Sequence, residues 1–350
     1  ANVVRWEKRT RLFLRTTEFL WQEGHTAHET REQAVEETER MLEVYRKFAE
    51  EYLCIPVIAG RKSDAERFAG AVDTYSIEAL MQDKKALQAG TSHFLGQNFA
   101  KAFDVTFQSR EGGLDLVWAT SWGVSTRLVG AIIMTHSDDK GLVLPPTLAQ
   151  DELVVVPIFR NDNKAEVLGY AEGVVKALKA DGRRVAFDND DSTKPGWKFA
   201  EWEMRGVPIR VETGPKDMAE GNVVMVRRDT GEKLVVKATE APAKARELLA
   251  AIQDNLREKA RAFRDANTKK VMDYKQIVDF FGSETAGTGD APGGFADGLW
   301  CGGRECEANL KADLKVTIRN MPANLQHDIS GVCCLCGQPA RHRAMFARSY

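Results

Sequence analysis

Apolar and polar positions recur at two different periods along this chain, and the changes of period divide it into three blocks. In the first, residues 1–150, the runs 3–9 and 13–23 alternate with period two and predict short strands. The run 30–52 carries Val35, Met41, Leu42, Val44, Tyr45, Phe48 and Ala49 at helical spacing and predicts a long amphipathic helix. A strand is expected near 114–120 and an apolar helix after Ser121-Trp122-Gly123. The block closes at Leu144-Pro145-Pro146, a linker signal.

The second block, 151–265, alternates strand and helix. Strands are expected at 153–159, 184–187, 207–212, 223–227 and 234–237, with helices at 165–180, 198–205 and 243–263. That order argues an α/β sandwich on a mixed sheet. The third block, 266–350, begins helical, passes through a Gly-rich loop at 282–298 that reads as disordered, and ends in a cysteine cluster. No internal repeat is present.

Composition narrows this only a little. Of 350 residues 43% are hydrophobic, enough for packed cores, and no apolar run is long enough to span a bilayer. The net charge of −2 excludes a protein held to nucleic acid by gross charge, but it permits local basic surfaces. The opening Ala1-Asn2-Val3-Val4-Arg5-Trp6 has neither an initiator Met nor a signal-peptide layout, and reads as a strand entered in its middle, so a truncated chain is expected.

Of six cysteines, Cys54 stands alone and reads as a small core residue. Cys301-x4-Cys306 and Cys333-x2-Cys336 supply four thiolates in two pairs, a count and spacing that fit a closed, structural zinc site. Cys334 leaves a second pairing open, with Cys334 and Cys336 as the later pair.

Candidate chemistry sits on the first strand pair. Period two puts Arg5 and Glu7 on one face, and Arg15, Thr17, Phe19, Trp21, Glu23 and His25 on another. If the two strands pair as a hairpin, charges and aromatics interleave on one surface. A solvated face rarely carries Phe and Trp, and a core face rarely carries Arg and Glu. The alternative to a ligand face is a salt-bridged sheet surface.

These residues carry a resemblance. Arg5-Trp6-Glu7, a loop, and Arg15-Thr16-Thr17-Glu18-Phe19 look like motif 2 of class II aminoacyl-tRNA synthetases. The continuation Phe19-Leu20-Trp21-Gln22-Glu23-Gly24-His25, the loop Gly90-Thr91-Ser92-His93-Phe94-Leu95-Gly96, and the motif-3-like Thr120-Ser121-Trp122-Gly123-Val124-Ser125-Thr126-Arg127 closely resemble prolyl-tRNA synthetases of the archaeal and eukaryotic type. The likeness runs through to Ser349-Tyr350.

The resemblance implies an α/β protein overall: an α+β catalytic core on an antiparallel sheet at 1–150, an α/β anticodon-binding domain at 151–265, and a small zinc-binding domain at 266–350. It implies a proline–tRNA ligase that joins L-proline to the α-phosphorus of ATP, with Mg2+, and passes it to the 3′ end of proline tRNA. Arg5, Glu7, Arg15 and Arg127 are the implied catalytic set. Arg5, Arg15, Thr16, Gln88, Thr91, Ser125 and Arg127 would hold ATP; Arg5, Trp21, Glu23, Phe68 and His93 would hold proline, with His25 adjacent. Arginine suits this work because its guanidinium stays charged and forks onto phosphate oxygens.

In the second block, 198–210 and Gly214-Pro215-Lys216-Asp217 look like anticodon-domain signatures, and Glu203, Arg210 and Lys216 are the implied readers of the anticodon guanines. The alternative for Glu203 and Arg210 is an ion pair. In the tail, the resemblance implies structural Zn2+ and an approach of Tyr350 to the active site. A homodimer of the complete protein, a cytoplasmic location and no membrane partner are also implied. The family places motif 1 and a proline-gripping Thr-x-Glu loop ahead of these strands, and neither is in this sequence. The chain alone is therefore expected to be weakly active. The alternative function is a catalytically impaired, synthetase-derived tRNA-binding module. The stretch 29–121 is too short for the large editing insertion of the bacterial-type enzyme.

Overall fold

In a computed structural model of the protein, residues 1–282, 292–327 and 329–350 are described. They form two units, one of Ala1–Glu50, Ile55–Thr135 and Arg261–Tyr350, the other of Glu51–Cys54 and His136–Ala260.

The first unit is built on six antiparallel strands. Strand β1 (Asn2–Val4) pairs with β2 (Glu18–His28), Val3 lying opposite Phe19. The expected hairpin forms, but its strands differ from those expected at 3–9 and 13–23. Residues 5–17 make a loop closed by an isolated bridge between Arg11 and Arg15, with Leu14 buried inside. β2 instead runs on past Glu23, because the neighbouring strand Trp118–Ser125 pairs with it along eight residues.

Helix α1 (Arg31–Lys47) starts where Thr30 and Gln33 form a capping box, and continues as a π-helical turn, Phe48–Tyr52. Its buried stripe is Ala34, Thr38, Tyr45 and Ala49. Val44, expected in the apolar face, is 46% exposed, since small side chains at the contact let the helix lie close on the sheet with Tyr45 as its inward anchor. Then come β3 (Val57–Arg61), β4 (Asp73–Leu80), β5 (Ala86–Gly96), α2 (Asn98–Phe103), a ribbon of β6 (Thr106–Gln108) and β7 (Leu114–Leu116), β8 (Trp118–Ser125), and α3 (Arg127–His136). The sheet order is β1-β2-β8-β5-β4-β3.

The second unit contains β9 (Leu153–Pro157), α4 (Lys164–Ala180), β10 (Val185–Phe187), α5 (Pro195–Met204), β11 (Ile209–Thr213), α6 (Pro215–Glu220), β12 (Asn222–Arg227), β13 (Lys233–Lys237) and most of α7 (Ala241–Ala266). Strand order is β10-β9-β11-β12-β13, with β9 parallel to both neighbours and the rest antiparallel, the mixed sheet expected. Every residue of β9 is buried, as a two-faced strand requires. Helix α6 escapes periodicity because six residues carry no stripe; it begins with Pro215 in the first turn, where a missing N–H costs nothing. Cys54 is fully buried in this core.

The rest of the first unit holds β14 (Thr268–Val271), α8 (Tyr274–Phe281), β15 (Phe295–Trp300), α9 (Arg304–Leu314), β16 (Thr317–Asn320) and β17 (His342–Ala347), in sheet order β14-β15-β17-β16. The loop expected at 282–298 falls partly on 283–291, which lie outside the described residues. Its last part is not disordered: β15 is an interior strand with Phe295 fully buried. This sheet abuts the first through a bridge between Arg61 and Met321. Gly60 permits it, because a Cβ there would lie 2.7 Å from the Met321 backbone. Among the described residues, no helix is long and apolar enough to cross a membrane.

Candidate active site

Strand register gathers the chemistry of the first unit onto one face of the six-stranded sheet. Across β2, β8 and β5, Trp21 sits opposite Ser125, Glu23 opposite Gly123 and Gly123 opposite Thr91, and Ser121 lies between His25 and His93. Side chains two apart share a face, so all of these point the same way. Gln88 would break the pattern, being an odd number of positions from Thr91. A bulge restores it: Ile77 pairs with Gly90 but Glu78 pairs with Gln88, which leaves Ala89 extra and returns Gln88 to the face of Thr91.

The result is a cavity of about 240 Å³ lined by Arg5, Thr16, Trp21, Glu23, Gln88, Thr91, His93, Ser125 and Arg127, together with Phe19 and Trp122. Nine sequence-expected residues therefore meet around one space. The Trp122 ring lies over Gly24 on the opposite face of the sheet, where any Cβ would fall inside it, 1.9 Å from the nearest atom. Three expected residues lie outside the cavity lining. Glu7 sits in the loop, its carboxylate accepting from the Arg9 amide at 3.1 Å. Arg15 is exposed and donates to the main-chain oxygen of Tyr350 at 3.4 Å. Phe68 packs against His93, ring centroids 4.9 Å apart, and lines an adjoining apolar pocket of about 450 Å³ with Glu23 and His25.

Positive charge dominates the cavity. The Arg127 guanidinium donates to the carbonyls of Leu14 at 3.1 Å and Gln88 at 3.2 Å. Burial, and then the nearby Arg5 and Arg15 charges, push its pKa down, which marks a cation held where an anion would relieve it. Arg5 lies over the Phe19 ring at 5.1 Å. His93 Nδ1 is 3.0 Å from Thr74 Oγ1, and burial, helped by Lys62, lowers its pKa to about 4. It is therefore neutral at pH 7. His136, in the second unit, is lowered to about 4 chiefly by burial.

Between the unfolded value of 6.5 and the folded value of about 4 the unfolded chain binds more protons, so stability is complete above pH 6.5 and falls as pH drops through that window. The expected loss from pH 7 to pH 5 is about 2 kcal/mol for each such histidine. Denaturant unfolding at the two pH values measures it, and His93→Gln should remove its share of the difference. A pH dependence untouched by that substitution contradicts the assignment.

Lys62, Glu78 and Arg319, not anticipated from sequence, make a buried charged cluster beneath the cavity. Arg319 Nε donates to Glu78 Oε2 at 3.0 Å, and Lys62 Nζ reaches Glu78 Oε1 at 3.5 Å and Gln88 Oε1 at 2.9 Å. The available signal was Glu78 itself, a lone carboxylate in the apolar run Ile77-Glu78-Ala79-Leu80-Met81.

In the tail, the Sγ atoms of Cys301, Cys306, Cys333 and Cys336 all lie within 4.8 Å of one another and could hold a metal ion. Cys301 is 3.7 Å from both Cys306 and Cys336. Cys334 instead turns into the apolar core beside Gly298, where a Cβ would meet its sulfur at 2.9 Å. Tyr350 packs near the loop of residues 5–17, with the Arg11 guanidinium 5.5 Å from its ring centre.

Residues 2–136 match the family model "tRNA synthetase class II core domain (G, H, P, S and T)", and residues 152–248 match "Anticodon binding domain". Residues 290–350 match "Prolyl-tRNA synthetase, C-terminal". The whole chain is 52% identical over 354 residues to a proline–tRNA ligase of Christiangramia forsetii, covering 70% of that protein. It is 53% identical over 357 residues to one of Chloroherpeton thalassium, covering 72%, and 53% identical over 352 residues to one of Porphyromonas gingivalis, covering 69%.

The chain belongs to the prolyl-tRNA synthetase family. The stretch matching the anticodon-binding model holds the three residues singled out there. Arg210, 7% exposed, donates to Glu212 at 2.9 and 3.0 Å and to Glu203 at 3.1 Å, and lies over the Phe199 ring at 4.1 Å. Glu203 and Arg210 line a pocket of about 380 Å³. Lys216 is exposed on α6 and lies outside that lining.

Proposed function

We propose that the cavity between β2, β8 and β5 binds ATP, as its magnesium complex, together with L-proline, and forms prolyl adenylate. The chain is a proline–tRNA ligase, and the observation that carries the residue assignment is convergence. Arg5 and Arg127 meet Gln88, Thr91, Trp21, Glu23 and His93 around one space of about 240 Å³. Adenylate formation moves charge onto phosphate oxygens without needing a covalent nucleophile, so fixed cations and positioning carry the catalysis. Arg5 and Arg127, with Arg15 at the rim, are those cations. Thr16, Ser125, Gln88 and Thr91 complete the nucleotide contacts, and Glu7 supports the loop. Trp21, Phe68 and His93 form the apolar walls that a cyclic, largely apolar amino acid needs, and Glu23 is the carboxylate for its imino cation. A neutral His93 suits that pocket, since a second cation there would repel the imino group.

Supporting domains follow the same reading: 1–150 catalytic, 151–265 anticodon-binding, 266–350 zinc-binding. Four thiolates at tetrahedral corners about 2.3 Å from zinc stand about 3.8 Å apart. The 3.7 Å separations of Cys301 from Cys306 and Cys336 fit that spacing. With all four positions filled by sulfur, the ion's contribution is structural. A homodimer and a cytoplasmic place of action complete the reading.

Among the anticodon residues, Lys216 is the cation left on the surface. Lys216→Ala should weaken binding of proline tRNA and lower the slope of log affinity against log salt by about 1. Arg210→Ala should act differently, destabilising the second unit by leaving the buried Glu212 with only the longer contact to Lys233 at 3.8 Å. Filter binding across a salt series separates the two, and an unchanged slope for Lys216→Ala removes it from the RNA interface. The function as a whole is tested by ATP–pyrophosphate exchange with each amino acid in turn, followed by charging of proline tRNA. Identity above half along the whole chain favours this over a binding module without catalysis.

A further inference from the structure

Lys62 lies just beyond the end of β3 and is 4% exposed. An ammonium has donors only, so its 2.9 Å contact fixes which way the Gln88 amide faces: the oxygen is turned to Lys62 and the NH2 group is left to donate elsewhere. Among the described residues no protein acceptor takes those hydrogens. Gln88 lines the cavity, and its own carbonyl accepts from Arg127 at 3.2 Å. Lys62 is itself held. Glu78, fully buried, accepts from Ser76 at 2.9 Å and from Arg319 at 3.0 Å. Arg319 belongs to β16 of the tail sheet, where it also donates to Thr317 at 2.9 Å and Ser349 at 3.0 Å.

The cluster carries two cations against one carboxylate. Such an arrangement is costly to bury unless every donor is used. The leftover donor capacity of Lys62 is spent on Gln88 and not on bulk water. We propose that Lys62, held by Glu78 and by Arg319 of the tail, is a positioning residue that locks the Gln88 amide with its hydrogens aimed at the nucleotide. The tail sheet is thereby part of the nucleotide site, although none of its side chains lines the cavity. This inference rests on the reading of the cavity as the ATP site.

The test is a double-mutant cycle in ATP–pyrophosphate exchange, with Lys62→Met, Gln88→Ala, the double variant, and Lys62→Arg. Lys62→Met is expected to raise the KM for ATP about tenfold, as far as Gln88→Ala does, the scale of losing one oriented hydrogen bond to a charged ligand. The kcat and the KM for proline should stay within about twofold. The double variant should be no worse than either single one, and Lys62→Arg should restore most of the loss.

Effects of Lys62→Met and Gln88→Ala that multiply overturn the proposal, as does a Lys62→Met enzyme with the ATP KM of the wild type. A rise in both KM values with a fall in kcat means general damage and also overturns it. If Lys62→Met does not fold, Gln88→Glu decides, because it keeps an acceptor for Lys62 and removes the amide hydrogens. Its ATP KM should be at least as high as that of Gln88→Ala, since a carboxylate oxygen then faces the nucleotide, and a wild-type value overturns the proposal. Gln88→Ala without any effect sinks the nucleotide reading of Gln88. The full effect from Gln88→Ala and none from Lys62→Met sinks only the role of Lys62.

Discussion

Arg127→Ala is expected to slow proline-dependent ATP–pyrophosphate exchange by about 100- to 1,000-fold, the range seen when one preorganised donor to a developing anion is removed. The expectation comes from how the side chain is held. Its main-chain N–H donates to Ser125 Oγ at 3.3 Å and its guanidinium to two carbonyls, so the group is oriented before any substrate arrives. Arg5 and Arg15 crowd it electrostatically, and burial strips its water. A phosphate therefore gains more here than at a solvated arginine, because repulsion already present in the empty site is relieved. The empty protein should lose little stability on Arg127→Ala, since a crowded buried cation goes together with its hydrogen bonds. Arg127→Lys should rescue poorly, for an ammonium cannot serve both carbonyls and still fork onto phosphate. Exchange kinetics with a melting curve check both halves, and exchange within tenfold of the wild type contradicts the assignment.

Cys306→Ser is expected to empty the metal site and unfold the tail. Zinc bound by four thiolates carries about 10 kcal/mol or more of apparent binding free energy, comparable with the whole stability of a small domain. Cys301, Cys306 and Cys333 pack within or against the apolar cluster that also holds Trp300, Ile318 and Phe346, so losing the ion leaves that core without its clasp. The consequence reaches the catalytic sheet. Ser63 donates to Glu307, next to Cys306, at 2.7 Å, and Arg319 of the tail holds Glu78. Metal analysis should give about one zinc per wild-type chain and almost none for the variant. The melting temperature should fall, and a strong chelator should do the same to the wild type. Cys334→Ala is the control: it opens a small core void and should leave the zinc content unchanged. Zinc lost from Cys334→Ala and kept by Cys333→Ala would reverse the ligand assignment.

How much of this was legible in the sequence depends on the range of the interactions involved. Local periodicity located α1, α4, α7 and the strands of the second unit, because one buried face repeats within each element. Ordered motifs located most of the cavity, because Trp21, Glu23 and Ser125 lie on paired strands and keep their parity, and Arg127 opens α3 two residues beyond Ser125. Gln88 was named only through resemblance. Alternation alone puts it on the wrong face, and the bulge at Ala89 that corrects it depends on a partner strand. The partners of Glu78, Lys62 and Arg319, were invisible for the same reason, since Arg319 meets Glu78 across 241 positions of chain. The tail sheet was missed because its interior strand, Phe295-Ala296-Asp297-Gly298-Leu299-Trp300, contains the Gly and Asp that usually mark loops. Asp297 is tolerated there because Arg343, diagonally across on β17, donates to both of its oxygens at 2.5 and 2.6 Å.

The family is established by similarity along the whole chain, and the residue roles rest on the convergence of Arg5, Arg127, Gln88, Thr91, Glu23 and His93 around one cavity. Proline-dependent ATP–pyrophosphate exchange tests that account most directly. Labelled pyrophosphate should enter ATP when the protein is given ATP, magnesium and L-proline, should enter for no other amino acid at comparable concentration, and should slow about 100- to 1,000-fold with Arg127→Ala. Exchange driven equally by another amino acid, or exchange with proline that stays within tenfold of the wild type in Arg127→Ala, would contradict it.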